Sequence, residues 1–168
     1  MKKMTKFAAV ALAALMAVSV TACGKSGGTK TDKGDGTYTV GICQLVEHPA
    51  LDAATKGFKE ALQEKLGDKV KFDEQNAQGD SATCATICNQ FVSSNYDLIL
   101  GNGTAALQAA YTATPSIPIL GTSITDYGTA LDMAEWTGVS GMNVSGTTDL
   151  APLDKQADML KELFPDAK

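Results

Sequence analysis

Residues 37–62, TYTVGICQLVEHPALDAATKGFKEAL, contain a strand, a loop and a helix in immediate succession. The apolar run at residues 37–43 predicts a buried strand. Pro49 can open a helix, because the first helical turn does not need its missing N–H. Apolar residues then recur at helical spacing up to Leu62, which predicts an amphipathic helix that ends near Gly67.

The alternation of strand and helix continues along the chain. Ser81 is expected to cap the second helix. The predicted strands after the first lie at residues 70–74, 98–100, 117–120 and 139–144, and the further helices at residues 81–92, 104–112 and 153–163. Strict alternation with short links predicts an α/β fold, a doubly wound parallel sheet covered by helices on both faces.

The first 22 residues are typical of a secretory signal, with a lysine-rich start and an apolar run too short to span a bilayer comfortably. Residues 20–24, VTACG, resemble a bacterial lipobox, so Cys23 is expected to be lipidated and to hold the chain outside the cytoplasmic membrane. The alternative is an ordinary signal peptide with an incidental cysteine. Residues 23–36 are rich in Gly, Lys and Thr and predict a flexible tether.

The charge of the chain limits its partners. All 14 basic residues are lysine, against 19 acidic residues, for a formal net charge of −5 that becomes −8 once residues 1–22 are removed. Such an acidic chain is a poor candidate for binding nucleic acid. Without arginine, an anionic ligand has to be held by backbone amides, hydroxyls or lysine.

In parallel sheets, ligands bind where the strands end, near the point where the strand order reverses. Here the loops at these positions are rich in small polar residues, and two of them, NAQGDS at residues 76–81 and GNGT at residues 101–104, lead directly into helices. Free N–H groups at a helix N-terminus favour an anion. The plainer alternative is that Ser81 and Thr104 are N-caps and the glycines are turn residues.

Enzyme and metal sites have weaker support. His48 is the single histidine, and with Glu47 and Asp52 it forms a poor metal-ligand set. The chain has no Gly-x-Ser-x-Gly turn, and GNGT lacks the Gly-Lys ending of a P-loop. We therefore expect no catalysis, no metal and no cofactor, with a secreted α/β hydrolase-like enzyme as the alternative.

The cysteines of the folded part do not have redox spacing. Cys84 and Cys88 lie on the apolar stripe of the second predicted helix, and Cys43 ends the first strand, so all three are expected to be buried free thiols. Trp136 could stack on a ligand or pack against Tyr127 and Met133.

Several segments together resemble the substrate-binding lipoproteins of ABC transporters whose ligands include tryptophan and other aromatic amino acids. They are YTVGICQLVEHPALDAATKGFKEAL (38–62), NAQGD (76–80), DLILGNGTAALQAA (97–110), IPILGTSITD (117–126) and TGVSGMN (137–143). The resemblance implies a type I periplasmic-binding-protein fold, with residues 37–150 as its Rossmann-like N-terminal lobe. It places ligand contacts at Gln44, Glu47, His48, Pro49, Gln78, Gly79, Thr104, Ala105, Thr122, Ser123 and Thr125.

The resemblance also implies a function and a partner. The solute would be a small organic molecule, most simply an amino acid, delivered to ABC permease subunits; a nucleoside or a sugar is the alternative within the class. Residues 151–168 would be the crossover and first helix of a second lobe that the sequence does not contain. A single wall buries less of a ligand than a closed cleft, so we expect weak binding by this chain alone.

Overall fold

The structure, a computed structural model, describes residues 36–166 and contains five strands and five α-helices in that range. The strands are Tyr38–Gln44 (β1), Val70–Asn76 (β2), Leu98–Asn102 (β3), Ile119–Ile124 (β4) and Val144–Thr148 (β5). The helices are Pro49–Leu66 (α1), Ser81–Ser93 (α2), Thr104–Ala113 (α3), Tyr127–Ala130 (α4) and Leu153–Leu163 (α5), with a 3₁₀ turn at Gly67–Lys69. Three of the sequence predictions lie outside the described residues: the signal peptide, lipidation at Cys23, and the tether except for Gly36.

The strands form one fully parallel sheet in the order β2-β1-β3-β4-β5. The order reverses between β1 and β3, because the chain runs from β1 outward to β2 and then returns to the other side of β1. Such a reversal marks where ligands bind in open α/β sheets. The predicted fold class is confirmed.

Helices cover both faces of the sheet. On one face, Phe58 and Leu62 of α1 pack on buried aliphatic side chains that include Ile42 and Leu100. On the other, α2 and α3 cover a larger cluster that contains Phe91. The fit there is close, since a Cβ added at Gly41 would lie 2.5 Å from the Phe91 ring. The central strands β1 and β3 are thus largely buried on both sides, as strands of parallel sheets usually are, whereas the edge strand β5 is mostly exposed.

Two predicted strands begin later than expected. The sequence predicts the fifth strand at residues 139–144, but β5 begins at Val144, because Gly138 and Gly141 adopt positive φ angles of 86° and 66° and turn the chain. β4 begins at Ile119 rather than at residue 117, since Pro118 has no N–H to donate to a ladder. The short helix α4 was not predicted.

The last helix, α5, lies exactly where its periodicity predicts, yet none of its residues is buried. Its apolar side chains, including Leu153 at 66% and Leu163 at 62% exposure, face solvent. Over the range that the structure describes, no helix combines the length and the apolar character needed to cross a membrane.

Candidate functional site

The loops that follow the strands lie side by side at the carboxyl edge of the sheet. Backbone hydrogen bonds join each loop or strand end to the next: Gly79 N to Leu45 O (2.7 Å), Leu45 N to Asn102 O (3.0 Å) and Gly103 N to Thr122 O (3.0 Å). The segments that contain the predicted contact residues therefore form one continuous surface. All of the predicted contacts lie on it or directly beneath it, but they differ in exposure and in the bonds they already make.

Gln44, at the end of β1, is buried beneath this surface with 3% of its area exposed. Its Nε2 donates to Val46 O (3.0 Å) and to Asp52 Oδ1 (2.6 Å). Its Oε1 accepts from Thr55 Oγ1 at 2.7 Å and, at 3.4 Å, from Asn102 Nδ2. Both donor hydrogens of the Gln44 amide and one lone pair of its oxygen are therefore bonded to protein groups.

Thr55 and Asn102 complete this network and were not singled out from the sequence. Asn102 Nδ2 donates to Leu51 O (2.8 Å) and Thr55 Oγ1 (2.9 Å), while its Oδ1 is buried and has no hydrogen-bond partner among the described residues. The sequence did contain a sign of Thr55's role, since this polar residue interrupts the apolar stripe that runs from Leu51 to Phe58. A polar residue on the buried face of a helix requires a partner.

His48 serves as the N-cap of α1. Its backbone is extended, with φ of −157°, and its Nδ1 accepts from Ala50 N at 3.2 Å. Pro49 follows as the first helical residue. In residues 36–166 no group of three or more His, Cys, Asp or Glu side chains could hold a metal ion. The ring of His48 is exposed at the edge of the surface, where it orients the start of a helix.

Glu47 is the neighbouring carboxylate, and it differs from the other acids of this edge. It is exposed and, within the described part of the chain, makes no side-chain hydrogen bond or ion pair. Asp52, by contrast, accepts from Gln44, and Asp149 accepts from Thr125 Oγ1 at 3.0 Å. Glu47 is therefore the acid at this edge most readily available to a ligand.

The helix N-termini at this edge are capped unequally. Asp80 caps α2, accepting from Thr83 N at 2.7 Å, so the prediction that Ser81 is the cap is wrong; a carboxylate one residue earlier reaches the free N–H groups. Asp126 caps α4 in the same way. The Thr83 hydroxyl donates to Asp80 and the Thr129 hydroxyl to Asp126. These hydrogen bonds are the main reason that the pKa of each carboxyl is below its ordinary value.

In contrast, α3 begins without a side-chain cap. Gly103 occupies its N-cap position with φ of 102°, and Thr104, exposed in the first turn, is not the cap. Leu107 N bonds back to Gly103 O at 3.0 Å, whereas no side chain meets the N–H groups that open the helix. The helix also has no acidic residue in its first turn. Its N-terminus remains open to an anion.

Two further predicted contacts have a left-handed backbone. Gln78 has φ of 56° and Ser123 has φ of 57°, a region that non-glycine residues rarely occupy. Gly79, at φ of 82°, continues the turn after Gln78. The ladder between β4 and β5 shifts register between Gly121 and Ile124, so Ser123 lies in a bulge. Bulges and strained backbone are frequent beside binding sites.

The cysteines and Trp136 contribute packing. Cys43, Cys84 and Cys88 are free thiols with no exposed area, as predicted. Burial raises the pKa of the Cys84 thiol to about 12, and a hydrogen bond with Cys88 together with burial raises the pKa of Cys43. Trp136 lies parallel to Tyr127, with ring centroids 6.2 Å apart, so it packs on the protein and leaves 41% of its area exposed.

Comparison with known proteins gives consistent results. A sequence model of the family described as "ABC transporter substrate binding protein" matches residues 39–168. A protein named "Tyrosine-binding protein", from Clostridioides difficile (strain R20291), is 41% identical over 179 residues, covering 100% of this chain and 51% of the relative.

Solved structures agree with the sequence matches. A substrate-binding protein with adhesive properties from Clostridium difficile, in a ligand-free, open state, superposes with a TM-score of 0.71 at 42% identity. The ABC domain from Streptococcus pneumonia in complex with L-Trp gives 0.70 at 34% identity. Each match covers 79% of this chain and 45% of the other. The chain thus spans about half the length of the relatives it matches.

Proposed function

The chain belongs to the ABC transporter substrate-binding protein family, and we propose that it binds an amino acid at the carboxyl edge of its sheet and passes it to ABC permease subunits. An aromatic side chain on the solute is supported by the relatives, of which one is named for tyrosine and another was solved with L-Trp. The described residues supply one wall of the site.

The observation that carries this proposal is the unequal capping of the helices at this edge. Asp80 and Asp126 already fill the N-termini of α2 and α4 with negative charge, so a ligand carboxylate is best accommodated at α3, by the amides of Thr104 and Ala105. In a chain without arginine, these backbone amides would bind the carboxylate that a guanidinium group often binds in other proteins.

The opposite end of an amino acid is an ammonium group, which needs an acceptor. Glu47 is exposed and uncommitted, and we assign it this role. The segments at this edge, residues 44–52, 76–81, 102–105 and 122–127, contain no lysine or arginine that would compete for it. One open helix N-terminus among several carboxylates favours a zwitterion over a simple anion such as a phosphate.

A catalytic role has less support than binding. The single histidine already accepts a backbone hydrogen bond as a helix cap, and the family is one of solute-binding proteins. We therefore propose that the site binds its solute without chemical conversion and uses no metal or cofactor.

The family membership and the sequence of the first 23 residues support a proposal for the location of the chain. We propose that the mature chain lies on the outer face of the cell membrane, tethered by lipid on Cys23. Changing Cys23→Ala should move the protein from the membrane fraction to soluble or unprocessed forms, as followed by fractionation and mass spectrometry. An unmodified N-terminus on the mature wild-type chain would contradict this tether.

A titration followed by ¹⁵N–¹H NMR tests the binding proposal. L-tryptophan and L-tyrosine should shift the amide signals of Glu47, Thr104 and Ala105, with a dissociation constant on the order of millimolar because one wall buries only part of the ligand. Uridine, glucose and a chromogenic ester are the comparison compounds. If uridine or glucose shifts these signals and neither amino acid does, or if the ester is hydrolysed, the assignment to amino acids is wrong.

A further inference from the structure

We propose that Gln44, Thr55 and Asn102 are positioning residues for the solute site. They hold the loop after β1 and the first turn of α1 in place, and they do not contact the solute. The inference rests on the proposed function, because it assigns these residues to the same site. It also gives Gln44 a role different from the direct contact that the family resemblance implies.

The side-chain amide of Gln44 is already bonded to groups of the protein. A side-chain amide offers two donor hydrogens and two acceptor lone pairs. Gln44 uses both donors, on Val46 O and Asp52 Oδ1, and one lone pair, on Thr55 Oγ1, inside the protein. Its second lone pair faces Asn102 Nδ2 at the longer distance of 3.4 Å. A hydrogen bond to a solute would have to replace one of these, and the side chain has only 3% of its area exposed.

The network is attached to the loop after β1 and to the first turn of α1. Gln44 Nε2 binds Val46 O in the loop and Asp52 Oδ1 in the first turn of α1, while Asn102 Nδ2 binds Leu51 O one residue earlier. These attachment points lie on both sides of residues 47–49, which include Glu47 and the helix cap His48. The network therefore fixes the segment that presents the proposed ammonium acceptor. Because this segment is already ordered before the solute binds, binding does not lose free energy to ordering it.

Thr55 connects the two amides and offers the sharpest test. It is 3% exposed, so it cannot touch a solute, and its hydroxyl donates to Gln44 and accepts from Asn102. Thr55→Val keeps the shape and removes both bonds, and Thr55→Ser restores the hydroxyl. Loss of buried hydrogen bonds of this kind should weaken L-tryptophan binding about three- to tenfold.

Asn143→Leu is the matched control. Asn143 is also a partly buried amide that bridges two loop carbonyls, Thr114 O at 3.0 Å and Ile117 O at 2.7 Å, but it lies at the opposite end of the sheet. Like Thr55→Val, it should lower stability, because buried carbonyls lose their donors. If the network positions the site, only the Thr55 variant should change solute affinity.

The experiment is an NMR titration of the wild type, the two Thr55 variants and the control with L-tryptophan, combined with amide exchange measured without ligand. In Thr55→Val, exchange at Asp52 and Gly79 should accelerate about tenfold relative to the control, because their amides bond to His48 O and Leu45 O of the held loop. Thr55→Ser should recover both the exchange rates and the affinity.

The outcomes separate the inference from the proposed function. One outcome is that amide exchange is faster in Thr55→Val while the wild type binds neither L-tryptophan nor L-tyrosine. That pair of results would support the holding role of the network and refute the proposed solute. Unchanged exchange, an affinity loss equal to that of the control, or a nuclear Overhauser contact between the Gln44 amide and the bound solute would overturn the inference.

Discussion

The change Thr104→Asp should make the protein more stable and a weaker binder of its proposed solute. Thr104 is exposed in the first turn of α3, which has neither a side-chain cap nor an acidic residue there. A carboxylate in a first helical turn stabilises a protein by about 0.3 to 1 kcal/mol through the helix dipole. For a folded part of this size, that corresponds to a rise in Tm of about 1 to 4 °C.

The same charge would repel a ligand carboxylate at the open N-terminus. Two like charges about 6 Å apart cost about 0.7 kcal/mol at the dielectric constant of water and about 1.4 kcal/mol at half that value. Affinity for L-tryptophan should therefore fall about three- to tenfold. Asparagine has nearly the shape of aspartate but no charge, so Thr104→Asn separates the effect of the charge from that of the changed shape.

Thermal unfolding by circular dichroism and NMR titration of the same samples measure both effects. We expect Thr104→Asp to raise Tm and to lower the affinity for L-tryptophan. Thr104→Asn should show neither change. A higher Tm with unchanged affinity would show that the solute carboxylate lies away from α3. The reasoning that assigns it to the open helix would then be wrong.

Three further predictions concern the close packing at Gly41, the cap at Asp80 and the burial of the thiols. Gly41→Ala should lower stability by about 1 to 3 kcal/mol in urea unfolding, because its Cβ would meet the buried Phe91 ring at 2.5 Å; Gly57→Ala, with nothing within 4 Å, should instead stabilise by about 0.5 to 1 kcal/mol. Equal effects would refute the close packing. The folded pKa of Asp80 is depressed, so its cap should stabilise the protein above pH 4 and lose this effect as the pH falls through that pKa; Asp80→Asn should flatten this part of the Tm profile, and an unchanged profile would exclude the cap as its source. A Cys23→Ser chain should show no thiol reactive with a disulfide reagent when native and three in guanidinium, and any fast native reaction would contradict burial.

Periodicity predicted most of the elements because the strands and helices bury regular apolar faces. The α1 stripe and the α5 helix match their predicted positions closely, although α5 has no buried residue, since periodicity reports a face and not what covers it. The start of β5 could not be predicted this way. Val139 is apolar enough for a strand, but the positive φ angles of Gly138 and Gly141 direct the chain away from the ladder.

The candidate site was predictable as a location and less so as a set of contacts. The carboxyl edge follows from the alternation of strands and helices, and the loops with the predicted contacts lie there. The state of each side chain depends on neighbours distant in sequence: Gln44 is occupied by Thr55 and Asn102, which no local pattern near residue 44 contains. The cap of α2 at Asp80 rather than Ser81 is a difference of one residue that a local pattern leaves open.

The three buried thiols make the folding rate of this chain a determinant of its yield outside a reducing compartment. Once β1 and α2 have packed, Cys43, Cys84 and Cys88 have no exposed area, so an oxidant or a mixed disulfide cannot easily reach them. The raised pKa values of Cys43 and Cys84 also disfavour the thiolate at these two positions. Before packing, each is an ordinary thiol that can pair with any other. Parallel sheets assemble slowly because their strands are distant in sequence. In an oxidising compartment, the time that β1 and α2 take to pack therefore sets how long these thiols are exposed to wrong pairing.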